Sequence, residues 1–124
     1  MDSGHMGEAR ERLVRLHVLS SMIMESELSA LRKISRSHEQ VEKEIERLRR
    51  AISARMRQRA SMQDADASAS VNHDSCWLRW QNYALGALNM QLAEIRADMA
   101  KQKEVAARAF GRAEILAKYL QERS

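Results

Sequence analysis

The sequence predicts an all-α protein, a long antiparallel two-helix coiled-coil hairpin. Three observations predict it. The chain contains no proline and only four glycines, two of them within the first seven residues, so few positions can turn it. Two separate stretches carry apolar residues at alternating spacings of three and four, the seam of a coiled coil. Between them lies a single small, polar stretch with no periodicity.

The first helix is expected from about residue 7 to about residue 60. The opening residues 1–6 read as a cloning scar and are set aside. The clearest seam runs Leu31, Ile34, His38, Val41, Ile45, Leu48 and Ile52, with His38 its one polar member. Upstream, Leu13, Leu16, Ile23, Met24 and Leu28 do not hold one register, which predicts a slip of phase and a local change of supercoil. Glu8 and Arg12, Glu11 and Arg15, Glu39 and Lys43, and Glu46 and Arg50 stand acid before base, four apart. Each pair supports an exposed helix by a few tenths of a kcal/mol, roughly 0.2–0.5.

The loop is expected over about 61–74, reading SMQDADASASVNHD. Asp74 or Ser75 is placed to cap the helix that follows. That second helix is expected over about 75–122. Its seam keeps one phase throughout: Leu78, Gln81, Leu85, Leu88, Leu92, Ile95, Met99, Gln102, Ala106, Ala109, Ala113, Leu116 and Leu120. The alanines thin the seam and let a partner helix come close, with less apolar area to bury.

The two seams match when folded back on each other. Setting Leu48 opposite Leu85 brings Ile45 opposite Leu88, Val41 opposite Leu92 and Leu13 opposite Leu120. One connection between two long helices makes them antiparallel neighbours. A parallel dimer of one continuous helix is the alternative topology, and it has to run through the aperiodic stretch. The hairpin reading implies a monomer.

Several function classes find no support. Cys76 is the single cysteine, so no internal disulfide can form and a reducing compartment suffices. His5, His17, His38 and His73 are scattered, without the spacing of metal ligands. There is no phosphate-cradling glycine loop and no nucleophile elbow. A pair of helices offers no deep pocket in which to shift a pKa. The expectation is a non-enzyme with no cofactor and no metal. No apolar run is long enough for a membrane span and no signal-peptide pattern opens the chain, which predicts a cytoplasmic protein.

Two features stand out. After Glu46 the chain runs through Arg47, Arg49, Arg50, Arg55, Arg57 and Arg59 with no acid until Asp64. Basic residues suit the C-terminal dipole of a helix, and the same run suits docking to an acidic surface, with Arg55, Arg57 and Arg59 as candidates. The aromatics do not interleave with these arginines, so nucleic acid is not expected as a partner. The second feature is Trp77-Leu78-Arg79-Trp80-Gln81-Asn82-Tyr83, with three of the five aromatics. The seam takes Leu78, Gln81 and Leu85, which leaves Trp77 flanking it and Trp80 and Tyr83 off it. Tyr83, Ala87 and Met90 form one stripe turned away from the partner helix, a candidate binding face.

The pattern of Trp77, Trp80-Gln81 and Tyr83 just after the connection resembles the FliJ/YscO/HrpO family of type III secretion and flagellar export proteins. The long hairpin, the absent proline and the basic balance fit as well. The resemblance implies a cytosolic hairpin similar to the central stalk of rotary ATPases, seated in a hexameric export ATPase. It also implies contact with the cytosolic domain of the export gate, and in some members with secretion chaperones. The gate contact carries over to Tyr83, Ala87 and Met90; the next position of the stripe, Glu94, departs from an apolar face. The competing expectation is a secretion chaperone or a secreted coiled-coil structural protein.

Overall fold

The computed structural model describes residues 2–61 and 64–122, with side chains placed for residues 4–61 and 73–122. Two α-helices make up the fold: α1 spans Asp2–Ala60 and α2 spans Asp64–Glu122, 59 residues each. They form a helical hairpin. Its direction is fixed by three cross-helix contacts: Gln102 bonds to Glu27, Arg96 to His38, and Arg55 to Asp74. Advancing along α1 means retreating along α2, so the helices are antiparallel.

The hairpin divides into two compact units. One is Arg36–Arg96, holding the later part of α1 and the earlier part of α2. Its core is Val41, Ile45 and Leu92, with Leu85, Leu88 and Ile95 packed against them and Leu48 also buried. These are the residues that the matched seams bring together. Burying each such side chain contributes roughly 1.5–3 kcal/mol. At one flank of this seam Arg96 Nε donates to His38 Nε2 at 3.3 Å, and Arg96 also lies 3.6 Å from Glu42. The polar end of His38 is thus held by a neighbouring side chain.

The other unit joins Met1–Ser35 to Ala97–Ser124. Here α2 contributes the buried alanines Ala106, Ala109 and Ala113. Gln102 reaches across α1 and donates its amide to the Glu27 carbonyl at 3.0 Å and to the Glu27 carboxylate at 2.6 Å. The expected change of phase lies in this unit. On α1 the half-buried series runs Leu13, His17, Ser20, Met24, Leu28 and Leu31. The two consecutive steps of four at Ser20, Met24 and Leu28 unwind the seam locally. Two small serines, Ser20 and Ser21, therefore occupy the inner face, while Leu16 and Ile23 point out at half exposure or more.

All four expected acid-before-base pairs form, at 3.0–3.9 Å. A fifth, between Glu44 and Arg47, was not expected. The Arg47 guanidinium holds the Glu44 carboxyl below the ordinary carboxylate range, chiefly through their hydrogen bond.

The expected boundaries need correction. Helix α1 begins at Asp2, so the stretch set aside as 1–6 is helical from residue 2. Helix α2 begins at Asp64, where a loop was expected to about 74. Hydrophobic periodicity is one sign of a helix and not a requirement for it; residues 64–74 lack it yet contain no proline or glycine, and alanine stands at 65, 67 and 69. Asp74 and Ser75 consequently sit inside α2 and are not its cap. At the other side of the connection, the Ser61 amide donates to the carbonyls of Arg57 and Gln58, both at 3.2 Å. The Ser61 hydroxyl donates to the Gln58 carbonyl at 2.8 Å, so the Arg57 and Gln58 carbonyls in the last turn of α1 are satisfied.

Ile45, only 4% exposed, is the most buried of the core side chains of its unit. Ile45→Ala is expected to cost about 2–4 kcal/mol in urea unfolding, because the hole it leaves cannot collapse fully. Met22→Ala, at an exposed position of the same helix, should stay within about 0.5 kcal/mol of the wild type. Equal midpoints for the two variants would place Ile45 outside the core.

Candidate protein-interaction site

The candidate face is built on α2 of the Arg36–Arg96 unit. Leu78, Gln81 and Leu85 are half-buried along the seam, and the 3.6-residue period then turns Trp80 and Tyr83 outward. Tyr83 is 80% exposed, Trp80 73% and Met90 71%. Ala87 between them is exposed as well. Cys76, Arg79, Trp80 and Tyr83 line a shallow depression on this surface. Nothing among the described residues folds back over the stripe.

What distinguishes this face is its lack of charge. Between Asp74 and Glu94, Arg79 is the sole ionisable charge on α2. The α1 segment in the same unit is densely charged, and it carries three ion pairs along its own surface: Glu39 with Lys43, Glu44 with Arg47, and Glu46 with Arg50. One helix therefore presents a densely charged surface with an excess of bases. The other presents aromatic rings and a thioether among neutral amides at Asn82, Asn89 and Gln91. Aromatic and Met enrichment with charge depletion is the composition of a protein–protein interface core.

Trp77 has a different place from Trp80. It is half-buried, as expected of a residue flanking the seam, and the Arg55 guanidinium lies 5.7 Å from its ring centre. The same guanidinium donates through two nitrogens to one oxygen of Asp74, at 3.0 and 2.8 Å. Asp74 is 3% exposed. Arg55 thus pairs with a buried carboxylate while lying over the Trp77 ring, and the arrangement is cross-helix on both sides. This changes the reading of the arginine run. Arg55 was a candidate for docking an acidic surface; its side chain, 40% exposed, pairs with Asp74 across the hairpin. Arg57 is exposed and Arg59 half-buried, so the outward basic character rests on them.

The Arg55–Asp74 pair escaped the sequence reading because Asp74 was assigned to a loop. The signal was available. The matched seams set Arg55 opposite Leu78, and Asp74 is one helical turn before Leu78, within reach of a long side chain. Among the described residues, no three His, Cys, Asp or Glu side chains gather where they could hold a metal ion, and no helix is long and apolar enough to cross a membrane.

Arg55→Met is expected to destabilise the hairpin by about 2–4 kcal/mol, since it leaves the Asp74 carboxylate buried without its partner. Adding Asp74→Leu should recover most of that loss. A double-mutant cycle in urea measures the coupling, and strictly additive effects would mean that the pair makes no stabilising contact.

No family model, no curated protein and no solved structure matches this chain.

Proposed function

We propose that this chain is a central-stalk-like coiled-coil component of a type III secretion export apparatus, which binds the hexameric export ATPase and the cytosolic domain of the export gate. In this reading it works in the cytoplasm as a monomer, by binding alone, with no catalytic step and no cofactor. The observation that carries the reading is the outer face of α2, with Arg79 its sole charge between Asp74 and Glu94, where Tyr83, Ala87 and Met90 are exposed in a stripe at the end of the Trp77, Trp80-Gln81, Tyr83 motif. A hairpin of two long helices supports a stalk role. It offers extended outer surfaces, and so suits a part that touches several partners.

The division of labour follows from chemistry. Tyr83 provides an apolar ring with a polar tip, and Met90 an adaptable thioether; such residues carry binding energy disproportionately. Ala87 keeps the surface between them low, so a partner can approach both. Trp80 lies beside this stripe and widens it. Arg57 and Arg59 supply positive charge that steers an acidic partner without fixing its register. Trp77 acts from behind, since it is tied to Arg55 at the hairpin's flank.

The test is a titration of the full chain against the purified cytosolic domain of the gate. Tyr83→Ala combined with Met90→Ala should weaken binding by about 2 kcal/mol or more, the scale of interface hot spots. Both residues are exposed, so helicity and the melting temperature should stay near wild type. Equal affinities for wild type and variant would remove this face from the gate contact.

A further inference from the structure

A second apolar surface lies in the unit that joins Met1–Ser35 to Ala97–Ser124, and the reading above does not use it. Leu16, Leu19 and Ile23 on α1 are spaced three and four apart, the pattern of a coiled-coil seam. They are nevertheless 50–55% exposed, because the seam with α2 is filled by Leu13, His17, Ser20 and Met24. On α2, Ile115 and Tyr119 are similarly exposed, four apart. In an antiparallel pair, residues displaced the same way around each helix from its seam emerge on the same side. Glu42 and Arg96, each one residue past a seam residue, obey this rule in the other unit, where they lie 3.6 Å apart. By the same rule Leu16, Leu19 and Ile23 share one side of their unit with Ile115 and Tyr119. A helix with one seam toward its hairpin partner and a second about 100° around it has the geometry of a helix in a bundle of three or more.

The charges around this surface indicate what would complete such a bundle. From Arg12 to Met24, α1 contains Arg12 and Arg15 and no acid; from Val105 to Ala113, α2 contains Arg108 and Arg112 and no acid. All four arginines are exposed. Arg12 and Arg15 are held loosely by Glu8 and Glu11, at 3.9 and 3.6 Å, while Arg108 and Arg112 form no ion pair among the described residues. A second copy of this chain would bring the same four cations against themselves. A helix with an apolar stripe flanked by carboxylates would bury the leucines and neutralise the arginines together.

We propose that Leu16, Leu19 and Ile23 of α1, with Ile115 and Tyr119 of α2, form a docking groove for an acidic amphipathic helix of another protein. The groove is separate from the Tyr83 stripe and does not depend on the secretion reading. It binds its partner as a third helix, with the apolar stripe between α1 and α2 and acidic side chains reaching Arg108 and Arg112.

The experiment uses the full chain and two synthetic helical peptides of about three heptads. Both carry leucine at the seam positions; one has glutamate at the flanking positions and the other lysine. Fluorescence anisotropy should show the glutamate peptide binding at least about tenfold more tightly than the lysine peptide. Leu19→Ser with Ile23→Ser should abolish that binding with far-UV circular dichroism unchanged, whereas Tyr83→Ala with Met90→Ala should retain it. Arg108→Glu with Arg112→Glu should reverse the preference between the peptides. Equal affinity for the two peptides, or binding that survives the Leu19/Ile23 change, overturns the proposal. So does light scattering that finds a wild-type dimer which the Leu19/Ile23 change returns to monomer, since a second copy then covers the face.

Discussion

The interlocked seam of Val41, Ile45 and Leu92, with Leu85, Leu88 and Ile95 around it, is the constraint on which the Arg36–Arg96 unit depends. Helices have a fixed period, so once these side chains face each other every other residue of the unit is assigned a direction. Trp80 and Tyr83 point outward because Leu78, Gln81 and Leu85 point inward. A hairpin covers only one side of each helix, and some exposed apolar residues are inevitable in so thin a fold. Exposure alone therefore says little. What gives the α2 face meaning is the contrast with α1, whose outward residues in the same unit are densely charged.

Polar contacts refine what the seam sets. Arg55 would lose contact with Asp74 and Trp77 together if the helices slid by a turn, so this cluster resists a change of register that leucine seams tolerate. His38 with Arg96, and Gln102 with Glu27, tie the helices elsewhere in the same sense. Each is a directional contact at the edge of a non-directional core, and in each a long side chain crosses from one helix to the other. The thin alanine seam at Ala106, Ala109 and Ala113 gains little from burial, which makes the Gln102 contact more important to its unit.

Much of this was legible in the sequence. The buried residues Val41, Ile45, Leu48, Leu92, Ala106, Ala109 and Ala113 are all members of the seams read from spacing alone. The outward direction of Tyr83, Ala87 and Met90 followed from the same phase. Two things were hidden. Residues 64–74 form helix without an apolar stripe in their sequence, and hydrophobic periodicity cannot signal such a helix. On early α1, more apolar residues are present than one seam can hold. Sequence alone could not decide that Met24 and Leu28 turn inward while Leu16 and Ile23 turn out, because small serines at 20 and 21 compete for the inner face by shape and not by hydrophobicity.

The proposed function requires one surface to be open in the free chain and closed in the complex. Hydroxyl-radical footprinting reads this directly, since tryptophan, tyrosine and methionine are among the most reactive side chains and the relevant ones are Trp80, Tyr83 and Met90. In the free chain these three should oxidise quickly, and Trp77 more slowly because it is half-buried beside Arg55. With the cytosolic domain of the export gate in excess, the rates at Tyr83 and Met90 should fall severalfold, by about the fraction bound, while Trp77 changes little. Protection of all three in the free chain, or rates at Tyr83 and Met90 unchanged by a gate domain shown to be bound, would contradict the account.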